Sequence, residues 1–164
     1  MPRSVACIAV IGPGRDAGAA ELEQAEEAGA AIAAAGATLV CGGLGGVMEA
    51  ACRGARSRAG LTVGLLPGAD RDDANGWVVL ALPTGLGEAR NALVVRAAHA
   101  VVAIGGGWGT LSEIALALRA GIPVLGVRTW ELAREGERVA GVHECDDAQT
   151  AVAEAVRLAG RAGL

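Results

Sequence analysis

The chain contains no lysine, no tyrosine and no phenylalanine: all 14 basic residues are arginine, and the aromatics, 2% of the chain, are 3 tryptophans. Without an amine side chain there can be no Schiff base to pyridoxal phosphate or to a carbonyl substrate, and no lysine for a nucleoside triphosphate P-loop. A dehydrogenase built on a tyrosine and lysine pair is excluded likewise. There is no run of like charge either. The net charge of −4 comes from scattered residues, which excludes a basic stripe for nucleic acid and a polybasic membrane anchor. No apolar stretch reaches the roughly 20 residues that span a bilayer, and Met1-Pro2-Arg3-Ser4 leads straight into a strand-like run. The expectation is a soluble cytoplasmic protein with no nucleic acid and no membrane partner. Cys7, Cys41, Cys52 and Cys145 form no CxxC pair, and Cys7 and Cys41 sit inside apolar runs. They read as small hydrophobes, not as zinc ligands, a disulfide framework or a thioredoxin-type pair, and no metal site is expected.

What is abundant is glycine, 26 residues in a chain of 164 that is 52% hydrophobic. That composition and length suit one α/β domain, residues 1–164, with short glycine loops. The expected strands are Val5–Ile11, Thr38–Cys41, Leu61–Leu66, Val78–Leu82, Ala100–Ile104 and, as the last core strand, Ile122–Val127. Helices are expected over Glu21–Ala35, Val47–Ala59, Glu88–Ala98, Thr110–Ala120 and Ala148–Ala159, the last capped by Asp146-Asp147. Alternating strands and helices predict a Rossmann-like, doubly wound three-layer sandwich around a mainly parallel sheet. Beyond Arg128 the pattern weakens into a polar stretch, and Pro67–Gly76 is a polar loop, either a lid or a solvated connector. The helices over 88–98 and 110–120 are apolar on nearly every face. A single sheet covers only one of those faces, so a homodimer through these two helices is expected.

Three strand-to-helix junctions are rich in glycine. The run Gly105-Gly106-Gly107-Trp108-Gly109-Thr110-Leu111-Ser112-Glu113 follows the apolar strand Ala100–Ile104. It reads as a hinge whose following helix start presents unpaired amides and partial positive charge to a phosphate. Gly43, Gly45 and Gly46 repeat the design after the second strand, and Gly12 and Gly14 after the first. The first loop is only loosely like a dinucleotide fingerprint, and the second strand ends Val40-Cys41-Gly42-Gly43, without the acidic residue that would hold a ribose. Dinucleotide binding is therefore disfavoured. Glu113, three residues after Thr110, either caps its helix or faces the ligand. Arg90, at a helix start, is either solvated or clamps an anion in two places. Trp108 either stacks on a base or shields the turn and packs on a partner. His99 and His143 read as structural, and Glu49 sits on the second loop's helix as Glu113 sits on the fourth's.

Three segments, Cys41-Gly42-Gly43-Leu44-Gly45-Gly46-Val47-Met48-Glu49, Thr84-Gly85-Leu86-Gly87-Glu88-Ala89-Arg90-Asn91 and Gly106-Gly107-Trp108-Gly109-Thr110-Leu111-Ser112-Glu113, occur in this order. Together they resemble the superfamily of LONELY GUY cytokinin-activating phosphoribohydrolases and molybdenum-cofactor carrier proteins, over roughly Val5 to Val127. Members were long mislabelled "possible lysine decarboxylases", a reaction the absence of lysine rejects for this chain. The resemblance implies a phosphorylated small-molecule ligand and no required cofactor. In the phosphoribohydrolase branch it places a phosphate loop on Gly106, Gly107, Gly109 and Thr110, with catalytic roles on Glu113 and Arg90. The reaction implied is cleavage of a nucleoside 5′-monophosphate to base and ribose 5-phosphate. Gly105, Asn91 and Ser112 stand where that branch has proline, lysine and glutamate. The forms Gly-Gly-Val-Met-Glu and Thr-Gly-Leu-Gly-x-Ala-Arg-Asn look closer to the small carrier-like branch, whose ligand, the molybdenum cofactor, is also a phosphate on a flat heterocycle. The resemblance thus adds Thr84, Gly85, Asn91 and Trp108 to the ligand-binding set and leaves two functions in view, a hydrolase and a non-catalytic carrier.

Overall fold

The computed structural model describes residues 5–161. In chain order, β1 (Cys7–Ile11), α1 (Ala19–Ala34), β2 (Thr38–Cys41), α2 (Val47–Arg56) and β3 (Thr62–Leu66) lead to a 3-10 turn at Arg71–Asp73 and then β4 (Leu80–Pro83). A second 3-10 turn at Gly87–Arg90 runs into α3 (Asn91–Arg96), followed by β5 (Ala100–Ile104), α4 (Trp108–Arg119) and β6 (Val124–Val127). A small hairpin of β7 (Ala133–Arg134) and β8 (Glu137–Arg138) precedes β9 (Val142–Glu144) and α5 (Ala148–Arg161). The main sheet has 7 strands in the order β4-β3-β2-β1-β5-β6-β9, and every neighbouring pair is parallel.

Parallel strands need crossovers, and crossovers put helices on both faces of the sheet. That is why the inner strands are unbroken apolar runs: all of β5 and β6 is buried. The pleat divides them between two cores. Ile8, Val10, Leu39, Val102 and Ile104 pack under α1, α2 and α5, while Ala9, Ile11, Val40, Val101 and Ala103 meet Val94 and Val95 of α3 and Ile114 and Ala117 of α4 on the opposite face. The chain winds outward from β1 through β4, then returns to lay β5 on the other side of β1. Strand order reverses there, and a crevice opens beyond the carboxyl ends of β1 and β5.

Helices α1 and α2 meet backbone to backbone. A Cβ on Gly29 would overlap the carbonyl of Ala51, and one on Gly54 the carbonyl of Glu26. Arg53 and Glu26 pair at 2.8 Å beside this contact. Local signals act where residue chemistry predicts: Asp147 Oδ1 accepts the Thr150 amide at 2.7 Å at the start of α5, and His99 Nδ1 accepts the Cys7 amide at 3.0 Å, a structural role.

Three expectations need correction. Ile122–Val127 supplies the last buried strand as β6, but the polar stretch beyond Arg128 is not without a strand, since β9 pairs alongside β6. At three residues, of which His143 and Glu144 are exposed, β9 carries no apolar run to announce it. The helix expected from Glu88 opens as a 3-10 turn, and its α-helical part is only Asn91–Arg96. The helix expected from Thr110 begins at Trp108 with Gly107 as its N-cap, so Glu113 lies beyond the first turn and cannot cap it. No described helix is long and apolar enough to cross a membrane.

Candidate functional site

A cleft of about 460 Å³ opens where the strand order reverses. Its walls come from the loop after β1 (Gly12, Pro13, Gly14, Asp16), the loop after β2 and the start of α2 (Gly42, Leu44, Met48), the second 3-10 turn (Gly87, Glu88, Arg90, Asn91), and the start of α4 (Gly107, Trp108, Gly109, Thr110, Glu113). Pro67 closes one side. Segments far apart in sequence thus meet around one hollow.

The loops after β1 and β2 are stapled together. Val47 donates its amide to the Pro13 carbonyl at 3.0 Å, and Gly46, at φ +66°, lies so close to Gly14 that a Cβ would overlap its carbonyl. Only glycine combines that backbone conformation with that approach. Gly12 is similarly confined, since a Cβ there would lie 2.5 Å from the Ile104 carbonyl and 2.6 Å from Val47 Cγ1. Asn75 pins the second loop from outside: its amide reaches the Gly43 carbonyl at 2.9 Å and its Nδ2 the Leu44 carbonyl at 2.9 Å. The polar loop over 67–76 therefore has at least one anchoring function.

The beginnings of α2 and α4 differ electrostatically. In α2 the Val47 amide is spent on Pro13, and Glu49 places a carboxylate in the first turn. In α4 the first intrahelical bond runs from the Leu111 amide to the Gly107 carbonyl at 3.0 Å, and the first turn carries no acidic residue. The amides of Trp108, Gly109 and Thr110 thus have no intrahelical acceptor, and the positive end of the dipole is not offset. Thr110 is 2% exposed, and its Oγ1 has no hydrogen-bond partner among the described residues.

Arg90 and Glu113, each 7% exposed, both line this cleft. Arg90 Nη2 donates to the Gly42 carbonyl at 3.4 Å and Nη1 to Asn91 Oδ1, while Nε is buried without a partner among the described residues. Burial drives both groups toward neutrality. It pushes the Glu113 carboxyl up to about 7, against the opposing pull of the Arg90 charge. It lowers the Arg90 guanidinium from its ordinary value, with Glu113 and then Cys41 opposing. Arginine still remains charged at any working pH. Arg90, Thr110 and the open N-terminus of α4 thus meet on one hollow, a set of groups whose chemistry suits an anion.

The other expected ligand residues lie differently. Thr84 Oγ1 donates to the Leu66 carbonyl at 2.7 Å, and the Gly85 amide to the Gly68 carbonyl at 2.9 Å, so both serve the turn after β4. Gly106 faces the Trp130 ring, with room for a Cβ only 2.9 Å from Nε1. Gly43 backs onto Leu66 and Gly64. Gly45 lines a neighbouring hollow of about 440 Å³ together with Arg15, Glu49, Asp73 and Asn75, and that hollow shares Gly14, Leu44 and Met48 with the main cleft. Glu113, not Glu49, belongs to the main cleft. Trp108 is 80% exposed at its mouth, its ring centroid 5.4 Å from that of Trp130, whose Nε1 donates to the Gly107 carbonyl at 3.2 Å. Asp16, Gly42, Met48 and Glu88 are cleft residues that motif reasoning did not assign a ligand role. Asp16 carried no signal, whereas Gly42, Met48 and Glu88 stood within quoted motifs.

The model of the SLOG cluster4 family matches residues 5–155. Among solved structures, the chain is similar to the molybdenum cofactor binding protein of the phototrophic bacterium Rippkaea orientalis, with 34% identity, TM-score 0.84, and coverage of 94% of this chain and 96% of that one. It is also similar to the Moco carrier protein of Chlamydomonas reinhardtii, with 36% identity, TM-score 0.84, and coverage of 96% and 99%. A protein of Archaeoglobus fulgidus is 43% identical over 111 residues, 68% of this chain and 72% of that protein. With a family model matching nearly its whole length and full-length structural relatives above 30% identity, the chain belongs to the SLOG cluster4 family, among proteins that share its Rossmann-like α/β fold.

Proposed function

We propose that this protein binds the molybdenum cofactor, or a closely similar phosphorylated heterocycle, as a non-catalytic carrier. The observation that carries the reading is the open N-terminus of α4, whose Trp108, Gly109 and Thr110 amides have no intrahelical acceptor, on a cleft that Arg90 also lines. A phosphate there would accept from the amides of Gly109 and Thr110, with the Arg90 charge on the same cleft holding it. Trp108 at the mouth would lie flat against the heterocycle. The relatives named for molybdenum cofactor binding and carriage align over almost the whole chain, and a cleft of about 460 Å³ is of the size that holds a small cofactor.

A second reading is favoured by Glu113. A carboxyl pushed up to about 7 by burial on the cleft wall, with the Arg90 charge opposing, is poised to exchange protons at neutral pH. This is what hydrolysis of a nucleoside 5′-monophosphate to base and ribose 5-phosphate would require of it, with Arg90 holding the ribose phosphate. Incubation with molybdopterin and, separately, with adenosine monophosphate tests both readings. The carrier predicts a raised melting temperature with molybdopterin and no adenine release; adenine release abolished in Glu113→Ala and Arg90→Ala assigns the hydrolase.

The same reading includes a homodimer. Leu93 of α3 is 40% exposed and Leu116 of α4 36%, and a groove of about 560 Å³ between these helices is lined by Ala89, Ala92, Trp108 and Leu116. A second copy seated on this face would cover it. Light scattering that reports a monomer at micromolar concentration would refute the dimer.

A further inference from the structure

Cys41 ends β2 and Cys52 lies on α2, and the segment between them is the second glycine loop with the first part of its helix. Their Sγ atoms are 3.5 Å apart, and both residues are fully buried. Neither thiol has a part in the binding site, yet two links join them to it. The Gly43 amide donates to Cys41 Sγ at 3.3 Å, and the residue between, Gly42, supplies the carbonyl that holds Arg90 Nη2. Gly42 forms part of the cleft floor, so Cys41 lies one residue behind a surface that solvent reaches.

We propose that Cys41 and Cys52 are an oxidative modification site, joined by hydrogen peroxide into a disulfide that encloses the glycine loop and loosens ligand binding. Sulfur pairing requires about 2.05 Å, so the two thiols must close by about 1.5 Å from their 3.5 Å separation. That draws the end of β2 and the second turn of α2 together. In the first step the Cys41 thiolate attacks one peroxide oxygen, the O–O bond breaks, and Cys41 becomes a sulfenic acid as hydroxide leaves. Next the Cys52 sulfur attacks the sulfenic sulfur, the S–OH bond breaks, and the Cys52 proton and the departing hydroxide form water. Two thiols and one peroxide thus give one disulfide and two waters. Cys41 is suited by position to be the attacking sulfur, one residue behind the cleft floor; the Cys52 thiol, against the opposing effect of burial, and then the Gly43 amide and the Arg90 charge lower its pKa, whereas the hydrogen bond to Cys41 and burial raise that of Cys52. Once bonded, Cys41 Sγ is a poorer acceptor for the Gly43 amide. The loop shifts, and the Gly42 carbonyl moves relative to Arg90. Burial also makes the site selective, because peroxide is nearly as small as water and a bulky alkylating agent is not.

The test uses the full-length protein treated with hydrogen peroxide, then denatured, alkylated and mapped by mass spectrometry. A Cys41–Cys52 disulfide, with the mass of two hydrogens lost and restored by dithiothreitol, is the expected result, as is trapping of a Cys41 sulfenic acid in Cys52→Ala when dimedone is added together with the denaturant after peroxide treatment. All four thiols remaining free, a disulfide to Cys7 or Cys145, or direct passage of Cys41 to sulfinic acid would overturn the proposal, and the wild-type map stands even if the variant fails to fold. The effect on the site rests on the binding function proposed above and is read with adenosine monophosphate and molybdopterin as probes, at least tenfold weaker in oxidised protein and recovered on reduction. Equal affinity in both states overturns the link to the loop. Binding in neither state refutes the proposed function and leaves the disulfide map to decide the modification.

Discussion

Replacing Glu113 with glutamine keeps the shape of a buried side chain on the cleft wall and removes its ability to ionise. In the folded protein burial holds that carboxyl near 7, against an ordinary value of 4.5. The folded state therefore binds a proton that the unfolded chain gives up between these two values, and the native state loses stability as pH rises through that window. Below 4.5 the carboxyl is neutral in both states and contributes nothing; above 7 the full penalty applies. Each tenfold difference in proton affinity is worth about 1.4 kcal/mol, so the whole window amounts to about 3 kcal/mol, and the part lying between pH 5 and pH 8 to about 2.5 kcal/mol. Glu113→Gln escapes this penalty. Relative to wild type, its stability should rise by about 2 to 3 kcal/mol between pH 5 and pH 8, which for a chain of this length is a gain of about 5 to 10 °C in relative melting temperature. Urea melts of both proteins at four pH values measure the difference directly, provided ligand is absent. A wild-type-minus-variant difference that stays flat across this range would refute the claim that Glu113 is dry and titrates near neutrality.

Other changes have separable outcomes. Arg90→Lys keeps a cation but loses the planar fork and its Nε–H, so phosphate-bearing probes should bind at least about tenfold more weakly by calorimetry. Trp108→Ala removes a ring that is 80% exposed. It should cost at most about 1 kcal/mol of stability while weakening a heterocyclic ligand at least about fivefold, with ribose 5-phosphate unaffected. Gly54→Ala forces a methyl into the Glu26 carbonyl across the α1–α2 contact and should destabilise by about 3 kcal/mol in urea, whereas Gly136→Ala, in the β7–β8 hairpin with open space around it, should cost only the strain of its positive φ, about 1 kcal/mol.

Where burial on both faces writes a continuous apolar run, sequence and structure agree closely. Ala100–Ile104 and Thr38–Cys41 have the same limits in both. β9 escapes because an edge strand of three residues buries little and so needs no apolar pattern. The start of α4 at Trp108 escapes because neither glycine nor tryptophan announces a helix, and only the carbonyl of Gly107 accepting the Leu111 amide marks it. The glycine loops could be read from residue type as places of close approach, and Gly12 and Gly46 are confined in this way by neighbouring backbone. What sequence could not show is which helix start is free. That depends on Val47 donating to Pro13, a contact between segments distant in the chain. The approach of Cys41 to Cys52 is likewise a product of strand and helix packing, without any spacing motif.

The bond from Val47 to Pro13, with the glycine-on-glycine contact beside it, makes half of the cleft into a fixed mould. The loops after β1 and β2 cannot part without breaking both, and the interlocked helices behind them resist sliding. Any accommodation of guests of different size must then fall to the opposite half, where Trp108 is exposed at the mouth. Complexes with a small and a large ligand should superimpose along the glycine wall and differ at the tryptophan.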